Sequence, residues 1–245
     1  MTKRTCTLAL LAAVWIPAEA SAQIHQVSAS SGSNARQTIN FSVGYFALHG
    51  AGSRPNEDVL VQDLQPPQPL LFEVKDLNSV PFGGEYLLAL TKNIEFGVGL
   101  TYSQRTAHTV YANLTHADNS EIMQDLKLKQ VPVSFTGRYL FLPRGSVVEP
   151  YVGAGVVAIR YKYSEVGEFV DANDLAIFPA SYVTNGTVAG PTVLGGLRGM
   201  VGHWAIGGEV RWQKAVADVP ASQLFLGTKL DLGGWTGNFT FGFRF

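Results

Sequence analysis

The side chains able to do chemistry in this chain are few and regularly placed. Glu85, Glu95, Arg138, Arg160, Arg198, Glu209, Arg211 and Arg244 each lie in a stretch where apolar and polar residues alternate. Each falls on the polar side of that alternation, as does Lys162. Charges facing one another in a confined interior must pair, because an unpaired buried charge is costly. Salt-bridge cross-links such as Glu85–Arg138 or Glu209–Arg160 are therefore expected, ahead of any path for ions.

The histidines make a weaker case. His49, His108, His116 and His203 fall in segments read as loops or a turn, and His25 in an N-terminal leader. His108, His116 and Asp118 share one segment but lack the close spacing of a metal-ligand motif. A Ser/His/Asp constellation needs spatial convergence that spacing alone does not supply. The single cysteine, Cys6, lies in a segment read below as removed. No catalytic residue, metal or cofactor is expected.

The elements that position these groups begin after a targeting segment. Lys3 and Arg4 precede the apolar run Leu8–Ile16, and Ala20-Ser21-Ala22 follows. That order reads as a secretory signal peptide over 1–22, cut before Gln23. Residues 23–37 are Ser-rich and read as a flexible leader, leaving 38–245 as one domain. The formal net charge of −1 and the absence of a Lys/Arg block argue against a nucleic-acid partner. After the signal, no apolar run reaches the ~18–20 residues of a membrane-spanning helix.

Period 2 dominates instead. In the closing stretch, Trp235, Phe239, Phe241, Phe243 and Phe245 share one parity, against Thr236, Asn238, Thr240, Gly242 and Arg244 on the other. Successive side chains of a strand point to opposite faces, so one face is aromatic and the other small or polar. The same pattern predicts a first strand over Ile39–Ala47, a second over Phe82–Thr91 and a third from Ile94 to about Ser103. A fourth carries Val131, Val133, Phe135, Tyr139 and Phe141 outward. Upstream, Leu126 and Leu128 have the opposite parity, which predicts a bulge near Gln130-Val131-Pro132. The fifth, Tyr151–Tyr163, is read with Tyr151, Val157, Ile159, Tyr161 and Tyr163 outward and Ala154, Ala158, Arg160 and Lys162 inward. A Gly-rich sixth at about 191–201 and a seventh at Trp204–Gln213 precede the terminal strand, the eighth.

Residues 49–80, 104–122, 164–190 and 214–229 read as long loops, alternating with tight turns. Asn185-Gly186 is a two-residue hairpin signal and is read as a hairpin standing on the third of these loops. As an extra pair of membrane strands it would make ten. Pro179 and Pro191 on either side argue against that, and the even strand numbers of bacterial barrels argue against nine.

The charges lie opposite the aromatics, the reverse of a sheet whose polar face meets water. Trp204 and Trp212 cap the two ends of one aromatic face, at the spacing expected of aromatic girdles. In lipid every backbone group must be paired, so the sheet must close and its polar face becomes the lumen. A soluble sandwich or a barrel with an apolar interior would show the same parity. The girdles, the aromatic terminus and the one-sided long loops favour an all-β, transmembrane, antiparallel up-and-down barrel of eight strands.

The ending Phe239-Thr-Phe-Gly-Phe-Arg-Phe245 and the strand opening Tyr151-Val-Gly-Ala-Gly155 resemble the small eight-stranded outer-membrane β-barrels, the group that includes OmpX, OmpW and the transmembrane domain of OmpA. That resemblance covers about 38–245. It implies residence in the outer membrane, outer-membrane lipid as partner, and the barrel assembly machinery as partner during insertion. It also implies that Trp204, Trp212, Trp235, Phe241, Phe243 and Phe245 form girdle and C-terminal assembly signal. The expected function is structural or surface interaction through the long loops, with an external ligand at 49–80 and 164–190. The alternative is an OmpW-like transporter of small apolar molecules or a narrow channel; Phe46, Leu48 and Leu87, inward near the loop end, are what suggests it. A lipid-modifying enzyme is a more distant reading, since no His-x-Ser stands in a lipid-facing strand.

Overall fold

The computed structural model describes residues 36–171 and 173–245. The signal segment and nearly all of the leader lie outside them. Eight strands close a ring: β1 (Gln37–Leu48), β2 (Phe82–Ala89), β3 (Ile94–Thr115), β4 (Glu121–Leu140), β5 (Val148–Val170), β6 (Ile177–Val201), β7 (Trp204–Gln213) and β10 (Gly234–Arg244). Two short strands, β8 (Val216–Asp218) and β9 (Lys229–Asp231), pair with each other outside that ring. All barrel neighbours are antiparallel.

The seam that closes the ring joins the two ends of the domain. Ile39 lies opposite Phe243, Phe41 opposite Phe241 and Val43 opposite Phe239. Gln37 and Phe245 exchange backbone hydrogen bonds of 3.1 and 3.0 Å. Closure leaves no sheet edge in lipid, where an unpaired backbone group would cost several kcal/mol. The outward faces carry Phe41, Tyr45, Phe82, Phe135, Trp235 and Phe239, all exposed. Aromatic contacts mark both rims of this apolar band. Trp204 stacks on Phe241 at 4.9 Å near the tight-turn end, and Phe82 meets Tyr102 at 5.3 Å near the other.

Strands β3 to β6 are far longer than a membrane requires, at 22, 20, 23 and 25 residues. About 9–11 residues cross the hydrocarbon, so roughly half of each strand projects beyond it. The expected loops at 104–122 and 164–190 are therefore mostly ladder. β5 and β6 pair without a break from Val148↔Gly199 to Val170↔Ile177. The Asn185-Gly186 hairpin is not formed: Asn185 faces Lys162 and Gly186 faces Tyr161 in mid-strand. The glycine there serves a close approach, since a Cβ would stand 3.1 Å from Tyr161 Oη. The chain turns instead at Asp171–Ala176, where Ala176 O accepts from Asp171 N and Leu175 takes a positive φ. Pro191 O accepts from Lys214 N at 3.1 Å, beyond the last β6–β7 pair at Thr192↔Gln213. The proline's missing N–H thus falls where the β7 ladder has ended.

The bulge expected near Gln130–Pro132 is also absent. β4 keeps one register on β5 from Gln124↔Gly167 to Leu140↔Tyr151. Its even-numbered residues point inward throughout, with Leu126 and Leu128 buried above Gln130 and Ser134, Thr136 and Arg138 buried below it. The strand does not change face; its surroundings change. Below Gln130 the outside is lipid and the inside polar, whereas above it Lys127 and Lys129 face water and the inside is apolar. For the same reason β5 has the opposite facing to that expected. Tyr151, Val157, Ile159, Tyr161 and Tyr163 are buried inside, while Ala154, Arg160 and Lys162 are exposed outside.

The apolar interior of the projecting half is filled by residues 49–81. This segment carries a short helix, α1 (Val59–Gln62), and two 3-10 turns at Ala51–Ser53 and Val74–Leu77. Val59, Leu60, Leu70, Phe72, Val74 and Leu77 pack against Leu126, Leu128, Val157, Ile159, Tyr161, Tyr163, Leu230 and Leu232. Fully burying one such side chain is worth about 1.5–3 kcal/mol, so this segment is a plug rather than a free loop. Asp58 caps α1 by accepting from Leu60 N at 3.1 Å and also accepts from Asp231 N at 2.6 Å. Buried Arg54 donates to both Asp58 oxygens, at 2.8 and 3.0 Å, and to Asp231 O at 2.7 Å.

Candidate functional site

Inside the membrane-embedded half, charged side chains cross the bore at two levels. Nearest the tight turns, Glu149 accepts from Arg198 at 2.6 Å and from Arg244 at 2.8 and 3.0 Å. Glu95 pairs with Arg198 at 2.6 Å and with Arg144. One level further in, Arg138 joins Glu85 at 2.5 Å and Glu209 at 2.8 Å, tying β4 to β2 and β7 across the bore. Arg211 pairs with Glu209 at 2.9 Å and donates to Ser134 Oγ at 3.0 Å. Tyr151 links the levels: the guanidinium groups of Arg138 and Arg198 lie over its ring, 4.9 and 5.6 Å from its centroid. Its hydroxyl donates to Glu209 at 3.1 Å.

The interior thus brings together Glu85, Glu95, Arg138, Arg198, Glu209, Arg211 and Arg244, with Glu85 and Arg211 only partly buried. Arg160 is a correction. It lies on the outer face of β5, exposed, and Glu209 pairs with Arg138 and Arg211 in its place. Glu149 and Arg144 belong to the network but were not anticipated. Glu149 shares the parity of Tyr151, so inverting the facing of β5 hid it. Beside the network a void of about 50 Å³, lined by Asn40, Ser42, Thr101 and Gln130 among others, has room for a few waters.

The histidines are paired singly. His49 Nδ1 is 3.0 Å from Asp231, His108 Nδ1 2.5 Å from Asp125, and His116 Nε2 2.9 Å from Glu168. His203 Nδ1 lies 3.1 Å from Arg244 O. His108 sits on the outer face of β3, away from His116 on the strand tip, and Asp118 bonds to Ser120. Among the described residues no group of three or more His, Cys, Asp or Glu is arranged to hold a metal ion.

A cleft able to receive a small molecule lies at the opposite end, between the plug and the tips of β3 to β6. This cleft has a volume of about 420 Å³, within the ~300–1,000 Å³ of small-ligand sites. The plug contributes Gln62, Asp63, Gln65 and Gln68. Strand tips contribute Tyr111, Gln124, Glu165, Phe169, Phe178 and Tyr182, and Leu224 and Leu226 close one side. Both segments expected to meet an external ligand, 49–80 and 164–190, line it. Phe169 and Tyr182 meet edge to face at 4.7 Å, and Tyr182 packs on Phe225 at 6.2 Å.

The floor of the cleft is acidic. Asp63 follows α1, while Glu165 lies on the inner face of the projecting part of β5, opposite Leu126 and Tyr182. Both are buried, and their carboxyls are neighbours. Asp63 Oδ2 and Glu165 Oε1 have no hydrogen-bond donor among the described residues. Burial, and then the charge of Glu165, hold the Asp63 carboxyl well above the usual carboxylate range. Burial also raises the Glu165 carboxyl. Gln124 is oriented by its amide nitrogen, which donates to Glu168 O and to Tyr111 Oη, each at 2.9 Å. Because Glu168 O can only accept, the Gln124 carbonyl must point the other way, and its Oε1 is left without a donor. None of these residues stood out in the sequence, since they lie in segments read as loops. The signal was present in Met123-Gln124-Asp125-Leu126-Lys127-Leu128-Lys129, which alternates as strictly as any membrane strand.

A scan against protein-family models and a search of curated proteins return no match. Among solved structures, the chain is similar to the outer membrane protein OprG from Pseudomonas aeruginosa, with 16% identity and a TM-score of 0.48 over 86% of this chain and 96% of that one. It is similar to the N-terminal β-barrel domain of Pseudomonas aeruginosa OprF, with 13% identity and a TM-score of 0.42 over 86% and 98% of the two chains. Neisserial surface protein A matches at 12% identity and a TM-score of 0.42, over 85% and 94%. These likenesses lie at the level of the fold. Independently of them, a closed even-numbered ring, an outward apolar band between aromatic rims and one-sided projection make the chain an eight-stranded transmembrane β-barrel of the outer-membrane type.

Proposed function

We infer that the protein is exported to the outer membrane, where its working part is the mouth of the barrel and its role is recognition at the cell surface. Two features support this reading. The bore is crossed by paired charges at two levels, and the outer half is folded into a plugged head whose cleft opens away from the membrane. The single observation that carries it is the plug. A segment of about thirty residues is spent on ordering the mouth, and loops positioned by a rigid scaffold are where binding concentrates. The membrane-embedded strands then serve as anchor, and the girdle aromatics through Phe245 as lipid contact and assembly signal.

The alternative reading, transport of small apolar molecules, calls for an open apolar cavity at the loop end. Phe46 and Leu48 do face inward there, but they are packed against the plug in a filled core. The deciding measurement is single-channel recording in planar bilayers. The purified, folded protein should give no sustained, ion-selective steps, and reproducible steps from it would overturn the closed-barrel reading.

A further inference from the structure

Three residues lining the cleft carry buried acceptors that are short of donors. Asp63, Glu165 and Gln124 line it and are at most 5% exposed, and Asp63 Oδ2, Glu165 Oε1 and Gln124 Oε1 have no hydrogen-bond partner among the described residues. Gln124 and Glu165 are diagonal neighbours on the inner faces of β4 and β5. Such positions lie about 7–8 Å apart, within reach of two long side chains turned toward the same space. Two carboxyls side by side repel when ionised and share a proton when not, and the Tyr163 hydroxyl beside Glu165 is likewise unpartnered among the described residues.

Resting on the reading of the cleft as the binding site, we propose that it takes a small organic ammonium ion, whose three N–H groups donate to Asp63, Glu165 and Gln124. A primary ammonium carries three donors and no acceptor, which matches three acceptor atoms without a partner. Its positive charge answers the carboxyl pair, and a desolvated cation beside aromatic faces gains further attraction; here Phe169, Tyr182 and Tyr111 supply them. A divalent metal fits less well. Calcium takes six to eight oxygens, whereas the described residues offer no cluster of three acidic or imidazole ligands. A neutral polyol could use the same acceptors but would leave the carboxylate charge unanswered.

The test is isothermal titration calorimetry on the whole folded protein with 1,4-diaminobutane, its neutral isostere 1,4-butanediol, and calcium chloride. Expected is saturable one-site binding of the diamine, at least tenfold weaker or undetectable binding of the diol, and no calcium binding at that site. Glu165→Gln and Asp63→Asn should each weaken the diamine at least tenfold, with folding of each variant checked by heat-modifiable gel migration. The wild-type panel decides alone if a variant fails to fold. Equal affinity for diamine and diol, absence of diamine binding at millimolar concentration, or diamine binding unchanged in both folded variants would overturn the proposal. Bilayer recording separates the two levels: a silent protein that ignores the diamine loses only the ammonium ligand, while a conducting one loses the surface-recognition reading as well.

Discussion

The two halves of one strand, β4, show two opposite ways of building a protein. From Val131 to Tyr139 the outward residues are apolar and the inward ones are Ser134, Thr136 and Arg138; from Met123 to Lys129 the inward residues are Gln124, Leu126 and Leu128 and the outward ones include Asp125, Lys127 and Lys129. The backbone is continuous, with one register and one facing. The half in lipid hides its polar groups inside, where they must pair, because the solvent outside cannot hydrogen-bond. The half in water hides its apolar groups inside, as any globular domain does. One barrel therefore has two cores, an ionic one and a hydrophobic one, joined end to end.

Breaking each core should have a different signature. The largest effect is expected for Arg138→Ala, which leaves Glu85 and Glu209 with Arg211 in place of two cations at the upper level of the bore. Removing one member of a buried ion pair costs about 3–5 kcal/mol, read as a lower urea midpoint for unfolding of the whole barrel from lipid vesicles. An unchanged midpoint would mean that the ionic core does not hold the barrel. Leu60→Ala, in the hydrophobic core, should cost about 2–5 kcal/mol. Here the loss should be local: hydrogen-exchange protection of residues 54–77 falls while gel migration still reports a folded barrel. Simultaneous loss of both would show that head and anchor fold as one unit.

Two lysine substitutions on the outer face of β4 sharpen the contrast. Phe135→Lys falls in the apolar band and should cost about 2–4 kcal/mol. Met123→Lys has the same parity but lies on the projecting half, where surface changes stay within about 0.5 kcal/mol. Equal unfolding midpoints for the two would contradict the placement of the membrane edge. The smallest effect concerns pH. The Asp63 and Glu165 carboxyls hold protons more tightly folded than unfolded, because of burial and, for Asp63, the neighbouring charge of Glu165. Their protonated forms favour the folded head, and that stabilisation is lost as pH rises through the raised folded values. Plug protection, corrected for intrinsic exchange rates, should thus be higher at pH 6 than at pH 8, and Glu165→Gln should flatten the difference.

The parts of the molecule legible in the chain were those governed by lipid. The facing of β1, β7 and β10 follows from their aromatic alternation, since only one arrangement puts Phe239, Phe241 and Phe243 against hydrocarbon. The pairing of the closing strand with the first follows as well, because an open edge is not tolerated in lipid. The facing of β5 was illegible for a definite reason. Both of its faces carry apolar residues, with Val152, Ala154 and Val156 meeting lipid and Tyr151, Val157 and Ile159 meeting the interior. Size suggested that the tyrosines point outward, yet they are inside. The Asn185-Gly186 signal misled similarly, because a dipeptide able to turn does so only where the ladder lets go.

By itself, then, the sequence determined that this is a closed eight-stranded barrel with a charged lumen, because lipid imposes a period-2 rule on every residue it touches. Only the tertiary structure decided how far the strands continue, where the membrane ends along them, and what the mouth can hold. Those depend on residues 49–81 folding back into the ring, so that Asp63 meets Glu165 from more than one hundred positions away. Alternation records that a strand has two unlike faces; which face is inside depends on what fills the space between strands.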